Sequence, residues 1–169
     1  LEAKLDAEMD YRMSSERKVF IEAYDEIKFS AIRDILLIGR KLNFDDFGFV
    51  SAGSLGVGAA VATKIILEEP GPRPPKMGAL VLQVNVDKLG KINLNKKVVS
   101  ESELAAQLKT TFETRKKRRI FRQGSREVEK AVYLRLSQST EYQVMLRVLN
   151  SVTSSGAYPI GIELDWLDK

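Results

Sequence analysis

Ala131-Val-Tyr-Leu-Arg-Leu136, Tyr142-Gln-Val-Met-Leu-Arg-Val-Leu-Asn150 and Ile160-Gly-Ile-Glu-Leu164 are the stretches that decide the fold. The first and third are short apolar runs bounded by turn residues and read as strands. Between them Tyr142, Met145, Val148, Leu149 and Val152 fall on one face at helical spacing. Gly156 then supplies the left-handed dihedral that closes a helix. The predicted order is strand, helix, strand. The same order stands 113 residues upstream: Lys18-Val-Phe-Ile-Glu-Ala23 reads as a strand and Phe47-Gly-Phe-Val50 as another. A helical face of Phe29, Ile32, Ile35, Leu36 and Leu42 lies between them, with Asn43 at the capping position. The offset aligns Val19 with Val132, Ile21 with Leu134, Phe29 with Tyr142, Leu36 with Leu149 and Gly48 with Gly161. Periodicity, cap and glycine agree, so the chain is read as an internal duplication.

The second copy is preceded by further elements. Leu80-Val-Leu-Gln-Val-Asn-Val86 reads as a strand, Asp87-Lys-Leu-Gly90 as a turn and Lys91-Ile-Asn-Leu94 as a half-buried strand, together a hairpin. Ser100 with Glu103 makes a capping box opening a helix whose face is Leu104, Leu108 and Phe112. The first copy has no such hairpin; Leu1, Leu5 and Met9 read only as the end of an amphipathic helix. A sheet without its edge strand leaves backbone donors and acceptors unpaired. This predicts a borrowed or exchanged strand around Ile65 or Leu80–Val86, and a homo-oligomer. Between the copies, residues 51–69 are glycine-rich and then helix-compatible from Ala59, and Pro70-Gly-Pro-Arg-Pro-Pro75 reads as a stiff linker. The expected organisation is a partial unit over 1–52, a linker over 53–78 and a complete unit over 79–169. The fold class is α+β, two related units with helices packed on one face of a small mixed β-sheet.

Composition narrows the function. The 169 residues include neither cysteine nor histidine. That excludes disulfides, thiol nucleophiles, Ser-His-Asp triads and histidine-ligated metals. Carboxylate or lysine chemistry stays open, but no cofactor is expected. The longest weakly apolar run, Leu55 to Leu67, contains Lys64 and falls short of the ~20 apolar residues that span a bilayer. No signal-peptide pattern begins at Leu1, and the start at Leu1 reads as a processed or cut end. A net charge of +4 favours anionic partners.

Four groups of residues invite a functional reading. Gly53-Ser-Leu-Gly-Val-Gly58 lacks the spacing of a phosphate-binding loop and reads as a connector. Asp45, Asp46, Glu68 and Glu69 read as surface carboxylates. Trp166 reads as a cap over the sheet, and Phe29 and Tyr142 as core. Arg115, Lys116, Lys117, Arg118 and Arg119, continued by Arg122 and Arg126, form a basic insertion that could meet a phosphate or carboxylate polymer. A solvated loop is the plain alternative. The alternation in Lys91, Ile92, Asn93 and Leu94 marks a candidate sheet edge for capture of an extended partner segment.

Residues 80–164 resemble the periplasmic domain of the ExbD/TolR biopolymer-transport family. The resemblance rests on Val86-Asp-Lys-Leu-Gly-Lys-Ile-Asn-Leu-Asn95, on Val98 and Val99 leading into the helix of Leu104 and Leu108, and on Val132-Tyr-Leu-Arg-Leu136. It continues in the Tyr-led helix Tyr142-x-x-Met-x-x-Val-Leu-Asn150 that ends at Gly156. Residues 18–50 resemble the second half of the same domain. Two departures stand out: the tandem arrangement, and Ser137-Gln138 where the family often has an Asp that the first copy retains as Asp25. The resemblance implies a non-catalytic, periplasmic component of a proton-motive-force-coupled complex. It would be anchored in the inner membrane through a transmembrane helix absent from this chain. The implied partners are an ExbB/TolQ-like channel subunit, a TonB/TolA-like transducer and peptidoglycan. The alternative is an anion- or nucleic-acid-binding module built on residues 115–126, with nucleic acid the weaker choice.

Overall fold

Alternating burial shapes each strand of the structure, a computed structural model that describes residues 18–42, 44, 46–52, 61–67, 81–122 and 124–164. The expected helix through Leu1, Leu5 and Met9, the capping Asn43, Asp45, the Gly53–Gly58 run, Glu68, Glu69, the proline segment and Trp166 lie outside these residues. In chain order the elements are β1 (Lys18–Ala23), α1 (Phe29–Lys41), β2 (Asp46–Ser51), β3 (Val61–Leu67), β4 (Leu82–Val86), β5 (Ile92–Leu94) and β6 (Lys97–Val99). α2 (Glu101–Lys117), β7 (Val132–Leu136), α3 (Tyr142–Ser154) and β8 (Ile160–Glu163) follow.

The strands form a mixed sheet in the order β1-β2-β3-β8-β7-β4-β5-β6. β1 runs parallel to β2, and β7 runs parallel to both β8 and β4. The β4-β5-β6 meander is antiparallel. Mixed pairing with helices between parallel strands is an α+β arrangement, as the period changes along the sequence imply. In β4 and β7 alternate residues are buried: Leu82, Val84 and Val86, then Val132, Leu134 and Leu136. The helices cover that face with Phe29, Ile32 and Leu36 of α1, Leu104, Leu108 and Phe112 of α2, and Met145, Val148, Leu149 and Val152 of α3. One continuous core results.

Local chemistry sets the ends of these elements. Ser100 and Glu103 close the expected capping box at α2, and the two bonds to the Ser100 main chain and hydroxyl hold the Glu103 carboxyl below its ordinary range. The β4–β5 turn closes with the Gly90 N–H donating to the Asp87 carbonyl at 2.9 Å, Gly90 taking φ 76°. Gly156, at φ 81°, ends α3 as expected. Gly48 lies under the ring of Phe20 and Gly161 under that of Tyr133; an added Cβ would come within 2.3 Å and 2.6 Å of those rings.

One expectation is corrected here. Val61–Leu67, read as linker and helix-compatible, is β3: Val61 to Lys64 pairs antiparallel with β2 and Ile65 to Leu67 parallel with β8. A strand whose partners are fixed by tertiary pairing carries little local signal of its own. The segments expected to exchange pair within this one chain, and β3 fills the place beside β2, whereas the place beside β1, where the second copy has its hairpin, has no partner among the described residues. Ile65 pairs with Ile160, and Leu82–Val86 pairs with β5 and β7 of the same chain.

Candidate functional site

Backbone pairing decides which strand can receive a partner. β5, containing Ile92, Asn93 and Leu94, is flanked by β4 on one side and β6 on the other. The expectation that Lys91, Ile92, Asn93 and Leu94 form an open edge is therefore corrected; their ladder groups are already paired. Lys97–Val99, left unassigned in the sequence, takes that edge as β6, only three residues long. At the opposite end of the sheet, β1 offers six residues and pairs, among the described residues, with β2 alone.

The direction of the free groups on β1 follows from its one ladder. The Ala52 N–H donates to the Ala23 carbonyl at 2.9 Å, so Ala23, and with it Ile21 and Val19, turn their main-chain groups towards β2. Successive residues of a parallel strand alternate. Phe20 and Glu22 therefore present N–H and C=O at the open edge, while Phe20 also spreads its ring over Gly48. Below the strand, the Tyr142 hydroxyl lies 2.8 Å from the Ile21 carbonyl and 3.1 Å from that of Val50 and shares its proton between them. Burial pushes this hydroxyl far above the ordinary phenol range. The edge is thus held from beneath by a rigid, neutral contact.

The basic insertion divides into a strut and a patch. Arg115 is only 6% exposed and donates from Nη1 to the Glu129 carbonyl at 2.7 Å; burial lowers its affinity for its proton. It holds the end of α2 to the chain leading into β7 and is no part of an anion-binding surface, which corrects its place among those candidates. Lys116, Lys117, Arg118, Arg119 and Arg126 are exposed. Arg122 donates to the Tyr158 carbonyl at 2.7 Å and stacks over the Tyr158 ring. With Lys116, Lys130 and Phe112 these two residues line a half-open cavity of about 420 Å³, whose rim also carries Glu113 and Glu127. Phe121 and Tyr158 remain 44% and 49% exposed beside the cations. Residues 113–130 hold eight basic and three acidic side chains, so the rest of the chain is close to neutral.

Arg115 could not be separated from its neighbours by composition. Its i−3 and i−7 relation to Phe112 and Leu108, on the buried face of α2, was the signal. Among the described residues no cluster of Asp, Glu, His or Cys could hold a metal ion, and no helix is long and apolar enough to cross a membrane. A family model described as "Biopolymer transport protein ExbD/TolR" matches residues 63–165. No curated protein matches the chain.

Proposed function

The chain belongs to the ExbD/TolR family of biopolymer-transport proteins, and on that premise we propose that it is the periplasmic, non-catalytic docking part of an energy-transducing complex. The family works with ExbB/TolQ-like channel subunits and TonB/TolA-like transducers. In this reading the chain captures an extended segment of such a transducer on the open edge of β1. The observation that carries the docking site is the six-residue strand with one paired side, where a peptide gains main-chain hydrogen bonds and alternate side chains set specificity. The β6 edge at the other end of the sheet, at three residues, offers half that ladder.

The test uses Glu22→Pro. Glu22 is exposed and its N–H faces the open edge, a place where an edge strand tolerates proline. The variant should fold with an unchanged circular dichroism spectrum yet lose most of its affinity for a synthetic extended, Pro-rich transducer peptide. Normal binding by the folded variant would remove β1 as the docking edge.

A second reading is favoured by the concentration of charge in residues 113–130. In it Lys116, Lys117, Arg118, Arg119 and Arg126 contact an anionic cell-envelope polymer such as peptidoglycan. Neutralising these five should weaken sedimentation with peptidoglycan and flatten its salt dependence, while leaving the melting temperature nearly unchanged, since exposed charges contribute little to stability. Equal binding before and after would identify a solvated loop.

A further inference from the structure

The first N–H groups of a helix need partners, and the two helices that follow parallel strands obtain theirs in an unusual way. α1 and α3 begin after Lys28 and Glu141, neither of which caps with its side chain. Instead the Phe29 N–H donates to the Thr140 carbonyl at 2.7 Å, and the Tyr142 N–H donates to the Ile27 carbonyl at 2.7 Å. One residue further on, the Ser30 N–H donates to Gln138 and the Gln143 N–H to Asp25, both at 3.1 Å. Every member of these pairs maps onto its mate by the offset of 113. Residues 29 and 142 exchange places, as do 27 and 140, 30 and 143, and 25 and 138. Lys28 and Glu141 face each other across the centre as an antiparallel bridge and close an ion pair at 2.9 Å. A set of contacts mapped onto itself by exchange of its two sides is the signature of a two-fold, isologous interface.

The same offset relates the packing away from this seam. Phe20 covers Gly48 where β1 meets β2, and Tyr133 covers Gly161 where β7 meets β8. Among the described residues α2 has no counterpart in the first half, and it carries its own capping box. The two related helices lack side-chain caps because each is capped by the other half.

We infer that the chain is a covalent pseudo-dimer, in which two units descended from one have an isologous interface built for two molecules and made here within one. The partner for the N-terminal faces of α1 and α3 is the other half of the same chain. No second copy is needed to satisfy these backbone groups, and the surface by which a single unit would pair with its like is used internally. The halves have diverged around this seam: Tyr142 and the Arg135–Glu163 ion pair of the second unit correspond to Phe29, Glu22 and Val50 in the first.

The 169 residues include no cysteine, so Lys28→Cys with Glu141→Cys in this chain introduces its only thiols. In this antiparallel bridge the flanking residues carry the hydrogen bonds, which places the two Cα atoms at about 4.5 Å, within disulfide reach. Mild oxidation should give an intrachain disulfide in nearly every molecule, with monomeric mobility over a tenfold range of protein concentration. Covalent dimers that increase with concentration would overturn the inference, since the seam would then form between chains. Failure to cross-link in a folded variant would overturn it equally. Should the double variant not fold, amide exchange in the unmodified chain decides. The N–H groups of Phe29, Ser30, Tyr142 and Gln143 should be protected at least about a hundredfold, unchanged on tenfold dilution. Exchange near free-peptide rates, or protection that fades on dilution, would refute it.

Discussion

Tyr142→Phe isolates one atom that ties the two halves together. The ring is fully buried and stays in place, so no cavity opens; only the hydroxyl, 2.8 Å from the Ile21 carbonyl and 3.1 Å from the Val50 carbonyl, is removed. A buried neutral hydrogen bond contributes a net ~0.5–1.5 kcal/mol, and the full burial of this one places it near the upper end. The lost stability should therefore be about 1–1.5 kcal/mol. In a domain of this size 1 kcal/mol corresponds to a shift of roughly 2–4 °C in melting temperature. Urea unfolding followed by circular dichroism reads the loss as a lower midpoint at constant m, because the surface exposed on unfolding does not change. A change within about 0.3 kcal/mol would mean that the hydroxyl does not bridge β1 and β2. A loss above about 3 kcal/mol would exceed what one hydrogen bond supplies, and would show that the ring itself is displaced.

Three further outcomes test other parts of the reasoning. Phe29→Tyr places a hydroxyl at the related position, where the offset puts the Leu134 and Glu163 carbonyls; it should cost less than the ~1–3 kcal/mol of an unpaired buried hydroxyl, as chemical denaturation will read. Gly161→Ala should destabilise by roughly 1–3 kcal/mol through contact with the Tyr133 ring, and Tyr133→Ala in the same chain should recover part of that loss. The Glu141 carboxyl is held below its ordinary range, first by its hydrogen bond from Lys28 and then by that from Gln143. Its contribution is present above the unfolded carboxylate pKa and lost as pH falls through the lowered folded value. Acid titration of Glu141→Gln should accordingly show a shallower loss of stability below about pH 4.5 than the parent chain.

Much of this architecture was legible because its signals are local. Apolar spacing in Phe29–Leu36 and Tyr142–Val152, the capping box at Ser100 and the turn at Asp87 are local signals, and each produced its element. What escaped was non-local. Nothing within Val61–Leu67 announces that its first half pairs with β2 and its second with β8. The alternation in Ile92–Leu94 correctly marked a half-buried strand, but alternation reports burial of a face and says nothing about occupancy of an edge. Arg115 shows the same limit in charge: five consecutive cations look equivalent until the helix places one of them inward. The absence of Ser, Thr, Asp or Asn at Lys28 and Glu141 was a readable clue that those helix starts are capped from elsewhere.

The proposed pseudo-two-fold relation also gives the docking proposal a direction. In the second unit β7 lies between β8 and β4, and β4 runs parallel to it with Leu82 opposite Val132. β1 and β2 repeat the parallel register of β7 and β8, but among the described residues no strand takes beside β1 the place that β4 has beside β7. The place beside β1 is thus the equivalent of a site that, in the other half, takes a parallel strand of alternating character, Leu82-Gln-Val-Asn-Val86. Under the proposed function, a transducer segment entering there should pair parallel to β1 and turn every second side chain towards α1. A paramagnetic label at the N-terminus of the transducer peptide should then broaden amide signals near Val19 more than those near Ala23. The opposite gradient would indicate antiparallel docking, and the correspondence between the vacant place and β4 would no longer describe how the partner binds.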